Sequence, residues 1–145
     1  MPTLNPGESN LSQFDKNWVM NNVSHSKHGV LRGMHYQSPS SQAKLITLVS
    51  GAIQDVIIDL REGSETYMQW DSFSLSENEL NQVLVPRGFA HGFLVTGDHA
   101  LITYLADAPY KPEEERIIAW DDPRFNIGWQ VVPQIISPRD GLGLG

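Results

Sequence analysis

From Val30 onward the chain alternates short apolar or half-apolar runs with turn residues. Lys44-Leu45-Ile46-Thr47-Leu48-Val49 closes at Ser50-Gly51, and Ile53 to Leu60 closes at Arg61-Glu62-Gly63-Ser64. Both read as strands joined by tight turns. The same punctuation runs through Tyr67 to Leu75, Gln82 to Val85 before Pro86-Arg87-Gly88, Phe89 to Val95 before Thr96-Gly97-Asp98, and Ala100 to Leu105. Only Ser76 to Leu80 hints at a helical turn. Many short strands rich in Val, Ile, Phe, Tyr and Trp fit a sandwich or barrel better than an alternating α/β fold, so an all-β jelly-roll barrel is expected. The first twenty or so residues, with Pro6-Gly7 and many Asn and Ser, read as an arm.

Composition narrows the function classes. The 145 residues are 40% hydrophobic with four Trp, enough for one domain around one core. No apolar run is long enough to cross a bilayer, and MPTLNPGESN has neither the basic nor the apolar region of an export signal, so a soluble protein without a membrane partner is expected. The absence of cysteine excludes disulfides, thiolate metal sites and cysteine nucleophiles, and it suits the cytoplasm. A net charge of -7 opposes a nucleic-acid partner. It still permits a small anionic substrate, provided a few Arg and Lys face the pocket. Glu113-Glu114-Glu115 reads as a solvated turn.

Several side chains could carry chemistry. Gly29-Val30-Leu31-Arg32-Gly33-Met34-His35-Tyr36-Gln37 sets an arginine and a histidine beside a glycine in a strand, where glycine often marks a bulge or the approach of a ligand. A core histidine and a surface arginine would explain the segment equally well. Period-two alternation places Phe89, His91 and Phe93 on one face, so His91 is a buried imidazole in need of partners. Ile102 and Tyr104 likewise share a face, although plain packing would account for Tyr104. Lys44 either snorkels outward or enters a polar cavity. His25, His28 and His99 are assigned no role. No His-x-His pair is present, and Gln37 stands two beyond His35, so no metal site is expected.

The combination of Gly29 to Gln37, Gln42-Ala43-Lys44-Leu45, Val56 to Ser64, Val85 to Phe93, Tyr104 with Tyr110 six residues on, and Trp120-Asp121-Asp122-Pro123 resembles the dTDP-4-dehydrorhamnose 3,5-epimerases and their sugar-nucleotide relatives. The resemblance runs in order from about Asn22 to Asp140. It divides the chain into an arm (1–21), a cupin epimerase-like domain (22–140) and a tail (141–145). It implies a cupin jelly roll that needs no cofactor or metal and works as a homodimer on a nucleotide-linked 4-keto-6-deoxy sugar. Carried over residue by residue, His35 is the proton-abstracting base and Asp140 the carboxylate that pairs with it. Lys44 lies near the sugar ketone, and Tyr104 is the acid. Arg32, His91, Tyr110, Asn22 and Gln37 fall in the substrate pocket, with Arg32 suited to the diphosphate. The family's N-terminal Arg-Gly-x-Phe-x-Glu pattern is not found in Met1 to Lys16, and Met20 stands where the family commonly has glutamine.

The implied reaction explains the residue types. A proton next to a ketone becomes removable when a cation stabilises the developing enolate oxygen. A histidine whose other nitrogen faces a carboxylate can take that proton. Inversion then needs a second proton-bearing group on the opposite face of the ring. Two other functions fit the same residues: a cupin ketoisomerase that moves the carbonyl between C4 and C3, and a carbohydrate-binding cupin without catalysis.

Overall fold

The computed structural model describes residues 17–142, so the expectation placed on the first sixteen residues lies outside them. The elements are β1 (Met20–Lys27), β2 (Val30–Gln37), β3 (Lys44–Asp59), β4 (Trp70–Ser76), β5 (Gln82–Val85), β6 (Phe89–Ala106), a 3₁₀ turn (Pro112–Glu114), β7 (Glu115–Ile117), β8 (Ile135–Ile136) and the helix α1 (Pro138–Leu142). Among the described residues the strands form one eight-stranded sheet, as the all-β expectation required.

Two long strands organise it. The first half of β3, from Lys44, pairs with β5 and with the last part of β6, which in turn pairs with β1. The second half, Ile53 to Asp59, pairs with β4 and with the first part of β6, which in turn pairs with β2. Between the halves the β3–β6 register slips at Leu48/Ser50 and again at Gly51/Ile53. Bulges of this kind bend a strand without ending it. Gly51 sits at φ +98, and a Cβ there would strike the carbonyl of His99. Ser50-Gly51 and Thr96-Gly97-Asp98 are therefore bends inside continuous strands, which corrects the reading of separate strands joined by tight turns. Ser76 to Leu80 forms a turn, and the helical pieces lie instead at Pro112–Glu114 and Pro138–Leu142. Strand β4 starts at Trp70, and β1 starts inside the stretch read as an arm.

The bend brings the inner faces of the two halves together. Ile46, Leu48, Val83, Val85, Ala100 and Ile102 from one half pack with Ile53, Ile57, Phe89, Phe93 and Val95 from the other. The Val, Leu, Ile and Phe side chains among them each contribute roughly 1.5–3 kcal/mol of apolar transfer. By the period-two rule, Val56 and Ile58 leave the opposite face of β3, where Met34, Ala90, Ile118 and Phe125 form a second core with Trp70 and Trp129. Trp70 Nε1 donates to Phe125 O at 2.9 Å and Trp129 Nε1 to Trp120 O at 2.9 Å, so the returning C-terminal chain is pinned over this core.

Candidate active site

The phase of β2 decides which side chains reach the interior. Strict alternation from Arg32 would turn Met34 inward and His35 outward. The β2–β6 register instead slips between Arg32 and His35, and the phase resets. Gly33 makes this possible: at φ +120 its backbone lies so close to β6 that a Cβ would sit 2.6 Å from Gly92 Cα and 2.8 Å from His91 O. As a result Met34 joins the second core, while Arg32 and His35 both line a cavity of about 610 Å³.

His35 stands at the wall of this cavity with a third of its side chain exposed, and its Nε2 lies 2.7 Å from Asp140 Oδ1. Asp140 reaches it from α1. Its Oδ2 accepts the Gly33 amide at 3.2 Å, and its own amide donates to Ser137 Oγ at 3.2 Å. Burial pushes the Asp140 carboxyl up, but the hydrogen bond and charge of His35 and the amide of Gly33 outweigh it and hold the group below the usual carboxylate range. An ionised Asp140 accepts a hydrogen bond from Nε2–H, which leaves Nδ1 as the basic nitrogen.

The other half of the sheet supplies Lys44, Asn22 and Tyr104. Asn22 pairs with Tyr104 and Tyr104 with Ile46, and Lys44 lies one row on, opposite Ala106. All three line the cavity. Lys44 thus takes the second of the alternatives open to it. Burial holds its ammonium below the usual lysine range, while the carboxylates of Glu115 and Asp55 pull the other way. Burial also raises the Tyr104 phenol, which Arg32 opposes and Glu115 reinforces, so the phenol keeps its proton at neutral pH. Arg32 donates from Nε to Ser26 Oγ at 3.1 Å, which orients an otherwise exposed guanidinium along the cavity.

Gln37 and Tyr110 line the cavity too, but the Gln37 amide is fully engaged with backbone. Its Nε2 donates to Ser40 O at 2.6 Å and to Pro109 O at 3.1 Å, and its Oε1 accepts from Lys111 N at 2.9 Å. Gln42 Nε2 donates to Ala108 O at 2.8 Å. The two glutamines suspend the loop that carries Tyr110, and Met20 Sδ accepts the Tyr110 amide. The acidic run is not a simple solvated turn. Glu114 accepts the Ser40 amide at 2.7 Å, and Glu115 lines the cavity and pairs with Arg139 at 2.5 Å.

His91 is buried as alternation requires, and its partner is Asp55, with Nε2 2.9 Å from Oδ2. Sequence reasoning passed over Asp55, although an acid sharing the inward face of Ile53 and Ile57 must find a partner there. Glu115, read as part of a solvated turn, and Arg139 were also missed, and Gln42 and Met20, noted at positions matched to the family, were given no role in the site. The first two come together from distant segments and leave no local signal.

An all-β cupin-type fold whose cavity gathers a His–Asp pair, a lysine, an arginine and a tyrosine is a class shared with known proteins. The sequence profile of the dTDP-4-dehydrorhamnose 3,5-epimerase family matches residues 5–143, well beyond the Asn22–Asp140 range of the resemblance, and the chain belongs to that family. It is 42% identical to a dTDP-4-dehydrorhamnose 3,5-epimerase of Neisseria gonorrhoeae over 99% of this chain and 44% of that protein. It is 38% identical to the Methanothermobacter thermautotrophicus protein of the same name, over 97% and 77% of the two chains. The chain thus spans less than half of one of these relatives. The crystal structure of a dTDP-6-deoxy-D-glucose-3,5-epimerase from Legionella pneumophila in complex with dTDP-4-keto-L-rhamnose superposes with a TM-score of 0.84 at 40% identity, over 89% of this chain and 69% of that one. No helix among the described residues is long and apolar enough to cross a membrane.

Proposed function

We propose that the chain is an epimerase that inverts C3, C5 or both in a nucleotide-linked 4-keto-6-deoxy sugar. The observation that carries this is the meeting of His35–Asp140, Lys44 and Tyr104 at one cavity, with the histidine on one half of the folded sheet and the lysine and tyrosine on the other. Nδ1 of His35 takes the proton from the carbon beside the C4 ketone, and the electron pair moves to the ketone oxygen as an enolate. Lys44 stabilises that oxyanion, at low cost in reorganisation because its ammonium is already desolvated. Tyr104 then protonates the same carbon from the opposite face. Solvent removes the proton from His35 and restores that of Tyr104, so each cycle closes without a cofactor. Arg32 meets the diphosphate, His91 and Asn22 meet the sugar, and Tyr110 borders the nucleotide-sugar end of the cavity.

A homodimer fits the outer face of the half that carries β1. There Val23 is 68% exposed and Val19 56%, beside the half-buried Leu84, Leu101 and Leu105. Light scattering would find about twice the 16.2 kDa chain mass if this face joins two copies, and the single mass if it does not. The cytoplasm is the compartment that suits a cysteine-free chain acting on such a substrate.

The decisive experiment follows the deuteration of dTDP-4-keto-6-deoxyglucose in deuterium oxide. Deuterium at C3 or C5, with inverted product, supports the reading and counts the centres. A carbonyl shift without C5 exchange points to a ketoisomerase, and tight binding without any exchange points to a binding domain.

A further inference from the structure

We propose that the Arg139–Glu115 ion pair is a latch that docks α1 onto β7 and thereby positions Asp140 against His35. The proposal rests on His35–Asp140 being the working base pair. Helix α1 has five residues, too few to persist alone in water. From Ser137 to Gly141 only Asp140 is buried, so no apolar anchor within this stretch holds the segment. What fixes it is polar: the two oxygens of Asp140 on His35 and Gly33, and Arg139 Nη2 on Glu115 Oε1 at 2.5 Å.

Glu115 is well placed to serve as the fixed end. It opens β7, where it pairs with Gln37, and two residues on Ile117 pairs with His35 itself. Anchor and base therefore ride on the same strand pair. Arg139 and Asp140 are adjacent in the chain, so tying the first to β7 sets the reach of the second. The Glu115 carboxylate is largely enclosed, at 13% exposure, whereas Arg139 is 59% exposed. A half-exposed pair of this kind adds little to global stability and is screened by salt. Its effect falls on local geometry, and dislocation of a group that orients a catalytic imidazole costs activity steeply.

The test reads the imidazole directly. In proton–nitrogen NMR spectra of wild type, the His35 Nε2 proton held by Asp140 should exchange slowly with water. Arg139→Gln and Arg139→Glu should each speed that exchange roughly tenfold or more, and Arg139→Lys should largely preserve the wild-type rate. Melting temperatures should stay within about 2 °C of wild type, as expected of an exposed pair. Sodium chloride at about 1 M, added to unmodified protein, should speed the exchange in the same direction, because it screens the exposed pair more than the buried dyad. In turnover, Arg139→Gln should lower kcat about tenfold, with the imidazole exchange separating loss of dyad geometry from any change in KM that comes from Glu115 at the cavity wall. Wild-type imidazole exchange in both Arg139→Gln and Arg139→Glu would overturn the latch. Failure of wild type to exchange substrate protons while its dyad signal is intact would overturn the epimerase reading and leave the latch standing.

Discussion

Asp140→Asn probes the base pair at almost constant volume. In wild type one carboxylate serves two donors, Nε2–H of His35 at 2.7 Å and the Gly33 amide at 3.2 Å. An asparagine has one oxygen and one NH₂ and cannot serve both. If its oxygen faces Gly33, its NH₂ faces Nε2, which must then accept; the imidazole proton moves to Nδ1, and the base is blocked. If its oxygen faces His35, two donors meet at Gly33 and a buried amide is left unpaired, at a cost of about 1–3 kcal/mol. Either way the imidazolium formed on proton abstraction loses its counter-charge. Unit charges some 4 Å apart attract by about 1 kcal/mol in water and about 4 kcal/mol in a partly enclosed site. His35 is one third exposed and Asp140 is buried, which places the loss near 2–3 kcal/mol, or roughly 30- to 150-fold in rate. The assay is the initial rate of deuterium wash-in at C3 and C5 under saturating substrate. The same dyad sets a pH dependence. The folded pKa of Asp140 is depressed, so its contribution to stability is full above the ordinary carboxylate pKa and is lost as pH falls through the lower folded value. In Asp140→Asn this acid-side component of the melting curve should vanish. Wash-in within about twofold of wild type would refute the tautomer argument.

The other substitutions separate the remaining roles. Tyr104→Phe should lower complete inversion by about 100-fold yet retain deuterium exchange at the carbon facing His35, as read by NMR of substrate and product; full inversion would remove Tyr104 as the acid. Lys44→Met should cut exchange by about 100- to 1,000-fold while melting no lower than wild type, because it removes an ammonium whose burial is unfavourable; a clear drop in melting temperature would contradict that balance. Gly33→Ala forces a Cβ to within 2.6 Å of Gly92 Cα at φ +120, at a cost of about 3 kcal/mol, and should lower the melting temperature by roughly 6–12 °C in calorimetry.

Much of the frame was legible because period-two alternation survives wherever a strand is regular. Phe89 and Phe93 point inward with His91 between them, and Ile102 and Tyr104 share the cavity side. The misreadings gather at bulges. Ser50-Gly51 and Thr96-Gly97-Asp98 have the composition of turns, yet their neighbours on β3 and β6 keep pairing through the bend, and no local pattern distinguishes the two cases. The slip at Gly33 reverses the phase of β2, so alternation alone would have sent His35 outward; it was the resemblance, not periodicity, that singled it out. Asp55 carried a usable signal, an acid on the inward face of an apolar strand. Arg139 and Glu115 carried none, since they lie 24 residues apart and meet only through the return of the C-terminal chain.

In the proposed reaction His35 removes a proton from the carbon beside a sugar ketone. The most direct test is proton NMR of dTDP-4-keto-6-deoxyglucose with this protein in deuterium oxide, run beside His35→Asn. Wild type should lose the C3 or C5 proton signal and the variant should not, while the variant's circular dichroism and melting temperature remain those of the folded protein. Exchange that continues in a folded His35→Asn would contradict that role.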